Sequence, residues 1–137
     1  MGPRASRNRL QTTTLLDAIA SLPQRPRRLI LASSRAIYGE GKYHCGTCGA
    51  VYPGTRTKEL LHSGHWEPVC PRCGRPAQTI PTDEKTTARP GSIYAVTKHN
   101  QEHLCQVMGQ AYGLEMVILR FFNVYGSRQA PGNPYTG

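Results

Sequence analysis

No stretch of these 137 residues approaches the ~18–20 consecutive apolar side chains that a membrane-spanning helix needs. The N-terminal run Met1-Gly2-Pro3-Arg4-Ala5-Ser6-Arg7-Asn8-Arg9 is basic but leads into no apolar signal core and no cleavage site. No membrane partner is expected, and the cytoplasm is the expected location. Acidic residues are also scarce, 8 Asp and Glu against 17 Lys and Arg, for a formal net charge of +9. Such an excess first suggests an acidic partner, nucleic acid above all. Its distribution weakens that inference. Residues 1–35 hold seven basic side chains and one acid, so six of the nine charges sit at one end. Internal repeats are absent apart from two cysteine knuckles.

What is present divides by composition into three segments. In 1–39, Leu15, Leu16, Ile19 and Ala20 predict a short amphipathic helix from Thr12 to Leu22, closed by Pro23. Leu29-Ile30-Leu31-Ala32 is a continuous apolar run, expected of a parallel strand buried on both faces. Residues 40–80 hold four of the five Cys and three His with little apolar periodicity, so something other than a hydrophobic core must fold them. In 81–137 the helical pattern returns. Ser92 is the expected N-cap, Leu104, Val107, Met108 and Ala111 the expected core stripe, and Gly113 the C-terminal cap. Met116-Val117-Ile118-Leu119 is a second continuous apolar run. Strand, helix and apolar strand make the βαβ unit of a parallel sheet, with a right-handed crossover expected.

Cys45-Gly46-Thr47-Cys48-Gly49 and Cys70-Pro71-Arg72-Cys73-Gly74 are two C-x-x-C-G knuckles. Each can bring two sulfurs to one ion from a tight turn, and two knuckles complete the closed tetrahedral shell of a structural zinc site. Cys45, Cys48, Cys70 and Cys73 are therefore the expected ligands of a structural Zn²⁺. Disulfides are disfavoured without a secretory signal. His44, His62 and His65 are spare, since four thiolates already fill the shell. Cys105 is expected to be a small buried side chain. Trp66 and Tyr52 are expected to pack against the knuckles rather than stack on bases.

Tyr94-Ala95-Val96-Thr97-Lys98 is Y-x-x-x-K at a helix start, which puts phenol and ammonium on one helical face. A nearby ammonium favours the phenolate, making a general base for a sugar or alcohol hydroxyl. Alone the pattern is weak. Ser33-Ser34 and Arg120-Phe121-Phe122-Asn123 add weight, because both lie at the carboxyl ends of expected parallel strands, where α/β sheets place ligands.

Leu31-Ala32-Ser33-Ser34-Arg35-Ala36-Ile37-Tyr38-Gly39, Ser92 to Lys98, and Leu119 to Gly126 resemble, in order and spacing, successive motifs of the extended short-chain dehydrogenase/reductase family, the NAD-dependent nucleotide-sugar epimerases and dehydratases. The resemblance covers about 8–39 and 81–137, leaving the cysteine segment as an insertion. It implies an α/β fold: a partial Rossmann-like, doubly wound parallel sheet carrying a small zinc ribbon. It also implies NAD as cofactor, a nucleoside-diphosphate sugar as substrate, and a homodimer if the protein is full-length. By the same resemblance Ser34 holds the reacting sugar oxygen, Tyr94 is the base, and Lys98 binds the nicotinamide ribose and lowers the tyrosine pKa. Ser33 and Phe121 line the nicotinamide, and Asn123 reaches the diphosphate. Arg35-Ala36 stands where the dehydratase branch carries Asp-Glu, so epimerisation, at C4 of the sugar, is expected over dehydration.

The family's Gly-rich phosphate loop has no counterpart here. Gly39-Glu40-Gly41 lacks the third glycine and follows the wrong strand. A truncated chain, inactive alone, is therefore expected. The alternative is a zinc-ribbon nucleic-acid-binding module using the basic end. His99-Asn100-Gln101-Glu102-His103 matches a metalloprotease pattern but is expected to be a solvated histidine pair.

Overall fold

The computed structural model describes residues 3–129 and 132, with side chains described from Leu10 onward. The element order is α1 (Pro3–Ser21), β1 (Arg28–Ser34), a 3-10 turn (Arg35–Tyr38), β2 (Tyr43–Cys45), β3 (Gly49–Val51), α2 (Lys58–His62), β4 (Gln78–Thr79), α3 (Ile93–Tyr112) and β5 (Glu115–Phe121). These form two compact units. One takes the described residues up to Arg35 and from Thr97 onward; the other is Ala36–Val96. The first therefore joins chain segments from both ends of the sequence. The second holds the cysteine segment together with the peptide leading into α3.

In the first unit, β1 and β5 pair in parallel, from Arg28 opposite Glu115 to Ser34 opposite Phe121. The core is Leu16 and Ile19 from α1, Cys105 and Met108 from α3, and Leu114. Leu29, Leu31 and Met116 pack against it from the strands. Strand side chains alternate between faces, so Leu29 and Leu31 reach this core while Ile30 lies 59% exposed. The expectation of strands buried on both faces is corrected accordingly. Among the described residues, the helices' apolar side chains cover one face of the pair.

Helix α3 starts and stops where its caps dictate. The Ser92 hydroxyl accepts from the Ala95 N–H at 3.1 Å, and Gly113 takes φ +67° just past the end. The Leu114 N–H donates back to the Gly109 carbonyl at 3.0 Å, closing the final turn. Its buried face differs from the expected stripe. Met108 is buried, but Val107 is 65% exposed and Ala111 is exposed. The face turned inward carries Gln101, Glu102, Cys105, Met108 and Gly109. Two of these are polar, and apolar periodicity cannot register a polar residue buried by its partners. The Gln101 amide donates to Thr12 Oγ1, linking α3 to α1. Helix α1 buries Leu16 and Ile19, with Ala20 packed beside them as expected, and of that stripe leaves Leu15 exposed. It also begins nine residues earlier than expected, at Pro3.

In the second unit, β2 is the central strand of an antiparallel β3-β2-β4 sheet. Tyr43, Cys45, Val51, Cys70 and Ala77 form its small core, with Cys48 packed against them. Tyr43 is thus the aromatic beside the knuckles, whereas Trp66 is 63% exposed and Tyr52 lies under the Arg89 guanidinium. Apolar periodicity does not reveal α2, which Thr57 caps by accepting from the Leu60 N–H. Hydrogen bonds continue from β4 toward α3: Ile80 N–H to the Lys42 carbonyl, Lys42 N–H to Thr82 Oγ1, and Arg89 N–H to the Ile37 carbonyl. No helix among the described residues is long and apolar enough to cross a membrane.

Candidate functional site

The two knuckles occupy tight turns. The first is the β2–β3 hairpin turn, with Cys45 opposite Gly49. The second is bracketed by a bridge between Val69 and Pro76. Gly49 and Gly74, the residues closing the motifs, sit at φ +71° and +70°, where a side chain would be strained. The knuckles are braced against each other by two arginines. Arg72 donates to the Cys48 carbonyl at 3.3 Å and Arg75 to Thr47 Oγ1 at 2.8 Å.

This arrangement gathers the four sulfurs within 4.8 Å of one another, with Cys45 and Cys73 3.6 Å apart. Tetrahedral zinc with Zn–S bonds of about 2.3 Å sets its sulfurs ~3.8 Å apart, so the donor set fits one such ion. The charge balance points the same way. The N–H groups of Thr47 and Cys48 draw the Cys45 thiol down to about 7. At Cys70, burial opposes ionisation, but the N–H groups of Arg72 and Cys73 outweigh it and the thiol is again lowered. Cys48 is instead pushed up to about 12 by the Cys73 sulfur beside it and by burial. Four thiolates this close repel one another, and a divalent cation removes the conflict. No histidine joins the cluster among the described residues. Cys105 lies apart in the other unit's core, where burial raises its pKa.

The second constellation stands at the carboxyl ends of β1 and β5. Ser34 ends β1, half-buried, opposite Phe121, which is 46% exposed. Asn123 is exposed two residues beyond. Lys98 is half-buried on α3 and donates from Nζ to the Ala32 carbonyl at 2.9 Å; burial lowers its pKa. Tyr94 lies 47% exposed on the first turn of the same helix, four residues before Lys98. Ser33, Ser34, Lys98, Phe121 and Asn123 thus belong to one compact unit, while Tyr94 falls in the other. The Ser33 hydroxyl is buried and donates to Glu102.

Glu102 and Arg120 were not marked as site residues by sequence reasoning. Glu102 is 1% exposed, and Arg120 grips it with Nη2 at 2.9 Å and Nε at 3.1 Å. Burial alone would raise the carboxyl pKa, but the guanidinium and the Ser33 hydroxyl outweigh it and hold it below the usual range. A glutamate spaced four residues after Lys98 was the available signal, hidden by its place in the H-x-x-E-H match. The histidines flanking it meet edge to face at 4.3 Å. His103 is exposed and His99 half-buried, and burial followed by the neighbouring His103 lowers the His99 pKa.

For NAD, the half-buried Lys98 ammonium has the chemistry to donate to a ribose hydroxyl, whereas the sequence holds no glycine loop of the kind that cradles the diphosphate.

A parallel α/β sheet with Y-x-x-x-K on its crossover helix defines a class, and comparison with known proteins identifies it. The chain belongs to the NAD dependent epimerase/dehydratase family, whose model matches residues 4–136. It is 37% identical over 132 residues to the dTDP-L-rhamnose 4-epimerase of Burkholderia thailandensis, a match spanning 95% of this chain and 34% of that protein. It is 54% identical over 48 residues to the uncharacterized UDP-glucose epimerase YtcB of Bacillus subtilis, or 35% of this chain and 15% of that one. The crystal structure of a "putative epimerase" from Burkholderia cenocepacia J2315 superimposes with a TM-score of 0.58 at 26% identity, covering 92% of this chain and 29% of that one. The chain therefore spans about a third of the length of the first of these relatives.

Proposed function

We propose that this chain carries catalytic residues of an NAD-dependent epimerase that inverts C4 of a nucleoside-diphosphate sugar. Lys98 supports the reading most directly: its half-buried ammonium is tied to the end of the serine strand, on the helix that carries Tyr94. NAD, when bound, would supply the hydride acceptor and donor. Tyr94 removes the proton from the sugar hydroxyl and later returns it. The Lys98 ammonium binds the ribose. Ser34 hydrogen-bonds the reacting oxygen, so that the carbonyl formed there is polarised and held in place. Ser33 and Phe121 border the nicotinamide, and Asn123 binds the substrate diphosphate. Inversion at C4 would require a site that grips the nucleotide and leaves the oxidised sugar free to rotate.

Cys45, Cys48, Cys70 and Cys73 bind one Zn²⁺ in a closed shell that folds the inserted module and takes no part in the redox step. The proposed assembly is a homodimer in the cytoplasm. Nucleic-acid binding by the module and the basic end is the second reading, with the +6 charge of residues 1–35 in its favour.

The test is a chimera in which this chain replaces the matching third of the dTDP-L-rhamnose 4-epimerase. The chimera is expected to interconvert C4 epimers of a dTDP-sugar, followed by proton NMR, and Tyr94→Phe is expected to abolish turnover. Full turnover in the Tyr94→Phe chimera refutes the assignment. Tight, steeply salt-dependent binding of DNA or RNA by the unaltered chain favours the second reading.

A further inference from the structure

Three elements meet at Glu102. Ser33 and Arg120 are register partners on β1 and β5, and both turn their side chains to the same buried carboxylate on α3. One helical turn earlier, Lys98 on α3 holds the carbonyl of Ala32, the residue preceding Ser33. The helix thus clasps two successive residues at the end of the serine strand, one through an ammonium and one through a carboxylate. The carboxylate also captures the neighbouring strand. We propose that Glu102 is a positioning residue of the epimerase site, fixing the end of β1, and with it Ser34, at one spacing from Lys98.

The inference rests on the reading of Ser34 and Lys98 given above. Its physical basis is geometric. Parallel strands and a crossover helix packed through apolar side chains can slide by fractions of an ångström at little cost. A buried carboxylate with two directional donors cannot, because losing Arg120 leaves a charge unpaired and losing Ser33 leaves an oxygen short of a donor, both in a buried setting. The groups facing Glu102 are the Arg120 guanidinium, the Ser33 hydroxyl and, electrostatically, His99. Ser34 is the next residue of the same strand, so a strand end that drifts carries Ser34 with it.

The side chain of Lys98 reports the clasp. Glu102→Gln keeps the shape of residue 102 and removes its charge. Loss of an anion near Lys98 by itself lowers the ammonium pKa. Loosening of the strand end does the opposite, because Lys98 leaves its half-buried seat at the Ala32 carbonyl and becomes hydrated. In the full chain, carbon-13 NMR titration of the lysine side chains is expected to show the Lys98 pKa rising toward the ordinary lysine range in Glu102→Gln. Ser33→Ala removes one donor without touching charge and is expected to give a smaller rise in the same direction. It decides the matter if Glu102→Gln does not fold. A folded variant in which Lys98 titrates where it does in the unaltered chain, or lower, overturns the proposal and leaves Glu102 a stabilising residue only. The titration uses neither cofactor nor sugar, so that outcome leaves the epimerase reading to the chimera, and an inactive chimera does not alter the titration.

Discussion

The two compact units solve the same problem with different materials. The α/β unit excludes water with Leu16, Ile19, Cys105, Met108 and Leu114, and pairs its deeply buried Glu102 with Arg120. Around its knuckles the cysteine unit has only a small cluster, Tyr43, Cys45, Val51, Cys70 and Ala77, with Cys48 packed against it. With so small a cluster around the sulfurs, the proposed structural zinc is expected to couple metal binding to the folding of this segment. In the α/β unit the same role is spread over many apolar contacts, none decisive.

The largest effect should come from the cysteine unit. Cys70→Ser, or a strong chelator, is expected to reduce zinc from one equivalent per chain to none by elemental analysis. Amide protection at Cys70, Gly74 and Ile80 should vanish with it, while β1 and β5 amides stay protected. Zinc retained at full stoichiometry in Cys70→Ser would break the comparison.

Next in size is Glu102→Ala, which strands Arg120 in a partly buried site. A loss of about 3–5 kcal/mol of unfolding free energy is expected, measured by urea denaturation, with zinc content unchanged. The same pair sets a pH dependence. Its carboxyl pKa is lower folded than unfolded, so the stabilisation is present above the ordinary glutamate value and is lost as pH falls through the folded value. His99, whose pKa is also lowered on folding, acts in the same direction from slightly acidic pH downward. Stability of the α/β unit should therefore decline with acid, and less steeply in Glu102→Gln.

A purely apolar deletion tests the other half of the contrast. Leu16→Ala is expected to cost the α/β unit about 2–5 kcal/mol and to leave the zinc site's affinity unaltered. Smallest of all, Arg28→Ala removes an ion pair whose partners, Arg28 and Glu115, are about half exposed, and should change stability by no more than about 1 kcal/mol.

How far the residues foretold this structure depended on what they reveal locally. The Ser92 cap, the Gly113 stop and both apolar strands were visible because caps and runs are properties of short segments. The C-x-x-C-G spacing likewise brought four sulfurs within reach of one ion. The buried faces of α1 and α3 were legible in part: Leu16, Ile19, Ala20, Leu104 and Met108 pack in or against the core as expected, whereas Leu15, Val107 and Ala111 are exposed. A stripe of apolar letters does not say which side the neighbours will take, and Gln101 and Glu102 look like surface residues until Thr12, Ser33 and Arg120 are placed beside them. Ser33 shows the same limit: the motif does not reveal that its hydroxyl lies buried against Glu102.

The sequence by itself determined the family, the sulfur shell and the Tyr94–Lys98 spacing, because each is carried by residue type at fixed short intervals. Only the tertiary structure could decide that Glu102 joins two strands to a helix. That junction depends on residues 33, 102 and 120, far apart in the chain and adjacent once β1 and β5 pair in register. A buried charge is tolerable where its partners converge on it, and convergence is a property of the fold.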